Sequence, residues 1–192
     1  MKRDKIILGI TGPIACGKNE VCGILRRSGA FTIDADRAGH EVLRQRAVKN
    51  KLTTIFGGEI LDKGGEIRRN ILGTIVFGNK KLLLKLNRIT HPAILKEVVK
   101  KIKNTKKRRI VINAAVLKEI GLAKYCGQIW LVASSRANRI KRLLSKGFDR
   151  KEILARIASQ RSLAGYKKEA DLIIKNNGSK SALAKKVERY LE

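Results

Sequence analysis

Cysteine, histidine and aromatic side chains are scarce in this 192-residue chain, and so are acids: 16 Asp and Glu stand against 44 Lys and Arg. Each scarcity excludes something. Cys16, Cys22 and Cys126 form an odd set without CxxC spacing, which is not a disulfide framework. His40 and His91 have no spacing that joins them to the cysteines, so a zinc site lacks its donors. With one Trp, three Tyr and four Phe, the core must be built from Ile, Leu and Val. No apolar run is long enough to span a bilayer, and the opening MKRDKIILGITG is too short for a signal peptide. A cytoplasmic, reduced protein without a membrane partner is expected. The 43% apolar and 31% charged content is a globular balance that excludes disorder and collagen-like repeats. A chain of this length forms one domain, or one with a sub-domain, and needs no covalent staples.

The acid deficit leaves a formal charge of +28. Such a field attracts nucleic acid or phosphorylated small molecules, or is simply a solvated surface. The densest run, 96–109, carries Lys100, Lys101, Lys103, Lys106, Lys107, Arg108 and Arg109 but no aromatic on which a base could stack. It reads as a solvated helix end and loop, and no specific nucleic-acid partner is expected. Nothing in the sequence sets an oligomeric state.

Short runs rich in Ile and Val at 5–11, 30–34, 109–113, 128–133 and 171–175 alternate with segments of helical periodicity. This predicts an α/β fold whose parallel sheet is covered on both faces. Amphipathic stripes predict helices over 17–27, 136–146 and 181–191, with Ser135 and Ser179 at N-cap positions. The interval 37–107 reads helical, with breaks expected at Gly57-Gly58, at Lys63-Gly64-Gly65 and at His91-Pro92. A helical insert there, after the second strand, would stand over the carboxyl ends of the strands, where open α/β sheets bind ligands. The expected division is a core of 1–36 and 108–192 around an insert of 37–107.

Gly12-Pro13-Ile14-Ala15-Cys16-Gly17-Lys18-Asn19 follows the first strand and opens a helix, the context a GxxxxGK phosphate loop requires. The turn gathers backbone N–H groups, the helix N-terminus adds positive potential, and Lys18 can reach the terminal phosphates. Asn19 departs from the pattern, which places a Ser or Thr hydroxyl on Mg²⁺; an amide oxygen can ligate magnesium, from a longer arm. Ala15 is tolerable in the loop if it keeps an ordinary backbone conformation. The thiol of Cys16, among oriented N–H groups, is a candidate for unusual acidity, although small size alone accounts for a cysteine there. Asp34-Ala35-Asp36 ends the second strand; alternate residues of an extended chain point the same way, so both carboxylates could face the loop, one accepting a proton and one helping to place metal or water. The competing reading makes Asp36 a helix cap.

In addition to the loop, LGITGPIACGK (8–18), the chain carries IDADRAGHEVL (33–43), FGGEIL followed by IRRNILGTIVF (56–77), THPAI (90–94), IKRLLSKGFDRKEILARIASQ (140–160) and NNGS (176–179). In these ordered motifs it resembles the dephospho-CoA kinase family over nearly its whole length. The resemblance implies a P-loop kinase with a five-stranded parallel sheet, a helical substrate-binding insert and a lid at about 142–160. It implies transfer of the γ-phosphoryl of ATP to the 3′-hydroxyl of dephospho-CoA, with ATP and Mg²⁺ required. By position, it implies that the loop from Gly12 to Glu20 holds ATP and that Asp36 is the general base, with Asp34 a supporting acid. Arg142, and Arg156 with it, would approach the transferring group; Asn176 would lie near adenine, and Arg69 and His91 would serve dephospho-CoA. Asn19 and Asp34 would be the metal ligands. The segment 111–119 lacks the acid and proline of the frequent DVPLLFE-like form, and Asn113 stands where the acid would be. An alternative of a different class is a catalytically weak P-loop protein that binds nucleic acid through its basic surface; the carboxylate pair beside a phosphate loop argues against it.

Overall fold

The computed structural model describes residues 5–76 and 79–191. The ends of the expected core at Met1 to Asp4 and Glu192, and the last motif residue Phe77 with Gly78, lie outside the described residues.

The chain runs β1 (Ile6–Thr11), α1 (Lys18–Arg27), β2 (Phe31–Asp34), α2 (Ala35–Val42), α3 (Arg46–Phe56), α4 (Arg69–Val76), α5 (Lys80–Asn104), β3 (Arg109–Asn113), α6 (Leu117–Ile120), β4 (Gln128–Ala133), α7 (Arg136–Leu144), α8 (Arg150–Ala158), α9 (Leu163–Lys167), β5 (Leu172–Lys175) and α10 (Lys180–Glu188). It divides into two compact units. One contains residues 5–34, 105–118 and 122–191; the other contains 35–104, without 77 and 78, and 119–121. The divisions fall after Asp34 and Asn104, against 36 and 107 expected, and 119–121 joins the helical unit.

In the first unit all five strands pair in parallel, in the order β2-β3-β1-β4-β5. The Ile and Val runs form strands because both faces of the sheet are covered: on one, Ile10, Val111, Trp130, Val132 and Ile174 are buried with Val21, Ile24 and Leu25 of α1 and Leu183 and Val187 of α10; on the other, Leu131 and Ala133 are buried with Tyr166 of α9. Ser135 and Ser179 cap as expected, accepting from the N–H of Asn138 at 3.2 Å and of Ala182 at 3.1 Å. The order puts β3 between β1 and β2, so the carboxyl ends of these strands, with Thr11, Asn113 and Asp34, lie side by side.

The helical unit has its own core of Val48, Leu52, Phe56, Ile60, Leu72 and Val76. Its chain breaks at Gly57, whose φ of 86° ends α3, and turns at 63–65. The expected break at His91-Pro92 does not occur: α5 is continuous across it. Pro92 is exposed, so water can solvate the carbonyl that loses its helical donor, while Thr90, Ile94, Val98 and Ile102 keep the buried stripe in phase. No helix among the described residues is long and apolar enough to cross a membrane.

Candidate active site

The loop between β1 and α1 is shaped by positions that admit little else. Gly12 has φ 143° and faces the Val132 carbonyl, which a Cβ would strike; Gly17 has φ 99° and faces the Asn176 side chain. Ala15 does not keep an ordinary conformation: its φ is 59°, the left-handed region, where an L side chain costs about 1 kcal/mol. The methyl group is therefore a strained feature of this loop, contrary to the expectation from sequence.

Donors from several elements converge on the loop's carbonyls. The Arg142 guanidinium on α7 donates to Ala15 O at 3.0 Å, Cys16 O at 3.1 Å and Asn176 O at 3.0 Å. The buried Asn176 amide donates to Cys16 O at 2.9 Å. Because N–H and C=O of a trans peptide point opposite ways, fastening the Cys16 carbonyl turns the Gly17 N–H to the other side. Lys18 Nζ lies along the loop, donating to Gly12 O at 2.8 Å and Pro13 O at 3.3 Å. Cys16 is fully buried, and that burial pushes its thiol pKa up despite the opposing pull of Lys18, Arg139 and Arg142; the acidic thiol expected from the oriented N–H groups is not formed.

The expected residues are thus placed in different ways. Arg142, Asn176, Lys18 and the loop are brought together, with Arg142 and Asn176 against backbone oxygens. Glu20 sits in the first turn of α1, with its N–H given to Gly17 O at 3.1 Å and its carboxylate 3.7 Å from Lys180. Arg156 pairs with Glu152 at 2.7 Å and stacks on Phe148. Two residues at the loop were not singled out from sequence. Gln160 accepts the Ile14 N–H at 2.8 Å, and Arg139 donates to Ile14 O at 2.8 Å and to Gln160 Oε1 at 3.3 Å. The available signals were Gln160 at the end of its motif and Arg139 one helical turn before Arg142.

At the carboxyl ends of the strands, Asn113 Nδ2 donates to Asn19 Oδ1 at 2.9 Å and to Asp34 Oδ2 at 3.4 Å. Asn113 is buried, and its Oδ1 has no partner among the described residues, a condition that costs about 1–3 kcal/mol. Asn19 Oδ1 and the Asp34 carboxylate are hard oxygen donors held by one amide. That donor set fits Mg²⁺, which takes one or two protein oxygens and leaves its remaining positions to phosphate and water. Among the described residues no group of three His, Cys, Asp or Glu offers a softer or more enclosed cage.

The period-two expectation for Asp34 and Asp36 fails. The chain turns helical at Ala35, which is buried, and Asp36 is an exposed residue in the first turn of α2. Within the helical unit, Arg69 lines a cavity of about 230 Å³ with His40, Leu43, Arg44, Glu66 and Ile67. His40 and Arg44 were not anticipated; His40 lies inside the second motif and Arg44 directly follows it, in the turn after α2. His91 does not line this cavity: its Nδ1 lies 3.1 Å from the Glu119 carbonyl, fastening 119–121 to α5.

A family model described as dephospho-CoA kinase matches residues 6–182. The dephospho-CoA kinase of Carboxydothermus hydrogenoformans is 42% identical over 178 residues, 90% of this chain and 86% of that protein. That of Dehalococcoides mccartyi is 37% identical over 175 residues, 89% and 88% of the two chains. The solved dephospho-CoA kinase from Campylobacter jejuni superposes with a TM-score of 0.71 at 26% identity, covering 96% of this chain and 94% of its own. A match of this length, in sequence and in fold, places the loop, the parallel sheet and the helical insert in one lineage: the chain belongs to the dephospho-CoA kinase family.

Proposed function

We propose a division of labour for the reaction of this family, in which the γ-phosphoryl group of ATP passes to the 3′-hydroxyl of dephospho-CoA to give coenzyme A. The observation that carries it is the phosphate loop, with its two obligate glycines and Lys18 laid along it. In this reading the loop from Gly12 to Glu20 cradles the ATP phosphates. Arg142 and Asn176 serve that cradle by fastening its carbonyls, which frees the opposite side for phosphate oxygens. Lys18 exchanges its carbonyl partners for the β- and γ-phosphates, where fixed positive charge lowers the energy of the transition state.

Asn19 and Asp34 would hold Mg²⁺, which when bound neutralises charge on the phosphate oxygens. Asp36 accepts the proton of the 3′-hydroxyl as that oxygen bonds to the γ-phosphorus and the bond to the bridging oxygen breaks, releasing ADP. Arg69 and Arg44, around a cavity that His40 and Glu66 also line, give the helical unit two guanidinium groups for the phosphates of dephospho-CoA, and Glu66 is paired with Lys49. His91 serves that substrate indirectly, by fixing the Glu119 carbonyl.

The test is a coupled assay of ADP release with dephospho-CoA, adenosine and a nucleoside monophosphate as acceptors, each with ATP and Mg²⁺. Dephospho-CoA is expected to be preferred strongly. Equal phosphorylation of the three would overturn the acceptor assignment.

A further inference from the structure

We propose that Asn113 is a positioning residue which, as a unit with Asn19, aims the oxygen that serves the metal in the phosphate site. The inference deepens the magnesium reading above and rests on it. Asp34 can only accept, so the amide of Asn113 must turn its nitrogen, not its oxygen, toward that carboxylate. The same nitrogen lies 2.9 Å from the Asn19 amide and requires an acceptor there as well. The fixed charge of Asp34 thereby sets both amides: Asn19 presents Oδ1 beside Asp34, and its own amino group is turned away.

The long arm of Asn19 is folded back by this contact. The residue doing the folding sits at the end of a strand whose neighbours on both sides are paired, Ile10 in β1 and Asp34 in β2, so its backbone is held firmly. The orphaned Asn113 Oδ1 points the same way. An apolar side chain would avoid burying an unpaired oxygen, so this amide is explained by what its nitrogen holds.

A phosphate loop ordinarily pairs a Ser or Thr hydroxyl with a strand-end carboxylate. Here an amide meets an amide, and each arrangement is self-consistent. Exchanging one member alone is not. In Asn19→Thr the shorter side chain leaves the Asn113 nitrogen with Asp34 only. In Asn113→Asp the donor is lost, a second carboxylate faces Asp34, and Asn19 turns its amino group inward and its oxygen away.

The experiment measures the dissociation constant of a non-hydrolysable ATP analogue in EDTA and in saturating Mg²⁺, by calorimetry, for the wild type, Asn19→Thr, Asn113→Asp, the double variant and Asn113→Leu. The readout is the ratio of the two constants, which a purely structural role would leave unchanged. Each single change is expected to lower the ratio about tenfold, with binding in EDTA little altered, and the double variant to recover most of it, a coupling within the range for side chains in contact. Asn113→Leu removes the orphaned oxygen and is expected to fold, as its melting curve will show, yet to lose the ratio as Asn113→Asp does. Single effects that simply multiply in the double variant, or an unchanged ratio in Asn113→Leu, would overturn the proposal. A wild-type ratio near one would overturn the magnesium reading itself, and this role with it.

Discussion

Asp36→Asn is expected to lower turnover by about 10² or more, the scale for losing a positioned general base, while leaving ATP affinity intact. The substitution keeps the shape of the side chain and removes its ability to take a proton. The exposed position of Asp36 in the first turn of α2 makes a folding defect an inadequate explanation for such a loss. Steady-state kinetics with dephospho-CoA, beside calorimetric ATP binding, separates the two effects. Asp34→Asn is the contrasting variant: it replaces a carboxylate that can only accept, and so orients Asn113, by a neutral amide that can also donate, and it should weaken binding of Mg·ATP as well as turnover. Near wild-type turnover in Asp36→Asn would show that the base is Asp34 or no side chain at all.

Lys18→Ala is expected to cost more, about 10³ in kcat/KM for ATP, with both kcat and KM affected. Two roles are lost together. The ammonium group holds the Gly12 and Pro13 carbonyls, and it meets the phosphates when they bind. Stopped-flow binding and single-turnover kinetics would divide the loss between affinity and chemistry. Lys18→Arg should not restore activity, because a planar guanidinium cannot replace a compact ammonium over so tight a turn. An alanine variant with unaltered ATP binding would contradict the assignment of the loop.

The strands were legible in the sequence because buried parallel strands are continuous runs of Ile and Val: two have the expected bounds and three begin one residue late. The phosphate loop was legible because its glycines, lysine, strand and helix are contiguous. What was hidden depends on tertiary context. A proline within an apolar period reads as a break, and only the exposed side of α5 shows why it is tolerated. Ala15 adopts a left-handed φ that an alanine, unlike a glycine, does not announce, so its strain has no signature in the residue type.

Asn19 and Asn113 are each visible as departures from the family pattern. Their contact spans 94 positions and requires β3 to lie beside both β1 and β2, so the sequence presented as two separate defects what the fold joins into one pair. Asn19→Thr, which from sequence alone should ease the magnesium requirement, is accordingly expected to aggravate it. Gln160 and Arg139 escaped notice for a similar reason, since polar helix residues read as solvated until a loop is placed against them.

This chain moves the γ-phosphoryl group of ATP to one particular hydroxyl, the ribose 3′-hydroxyl of dephospho-CoA. Phosphorus NMR of the purified protein with ATP, Mg²⁺ and dephospho-CoA tests this most directly, because it reports the new ester and its position together. A monoester resonance at the 3′ position is expected, growing in step with ADP and absent in Lys18→Ala. Release of ADP and inorganic phosphate without that resonance, or a phosphate elsewhere on the acceptor, would contradict it.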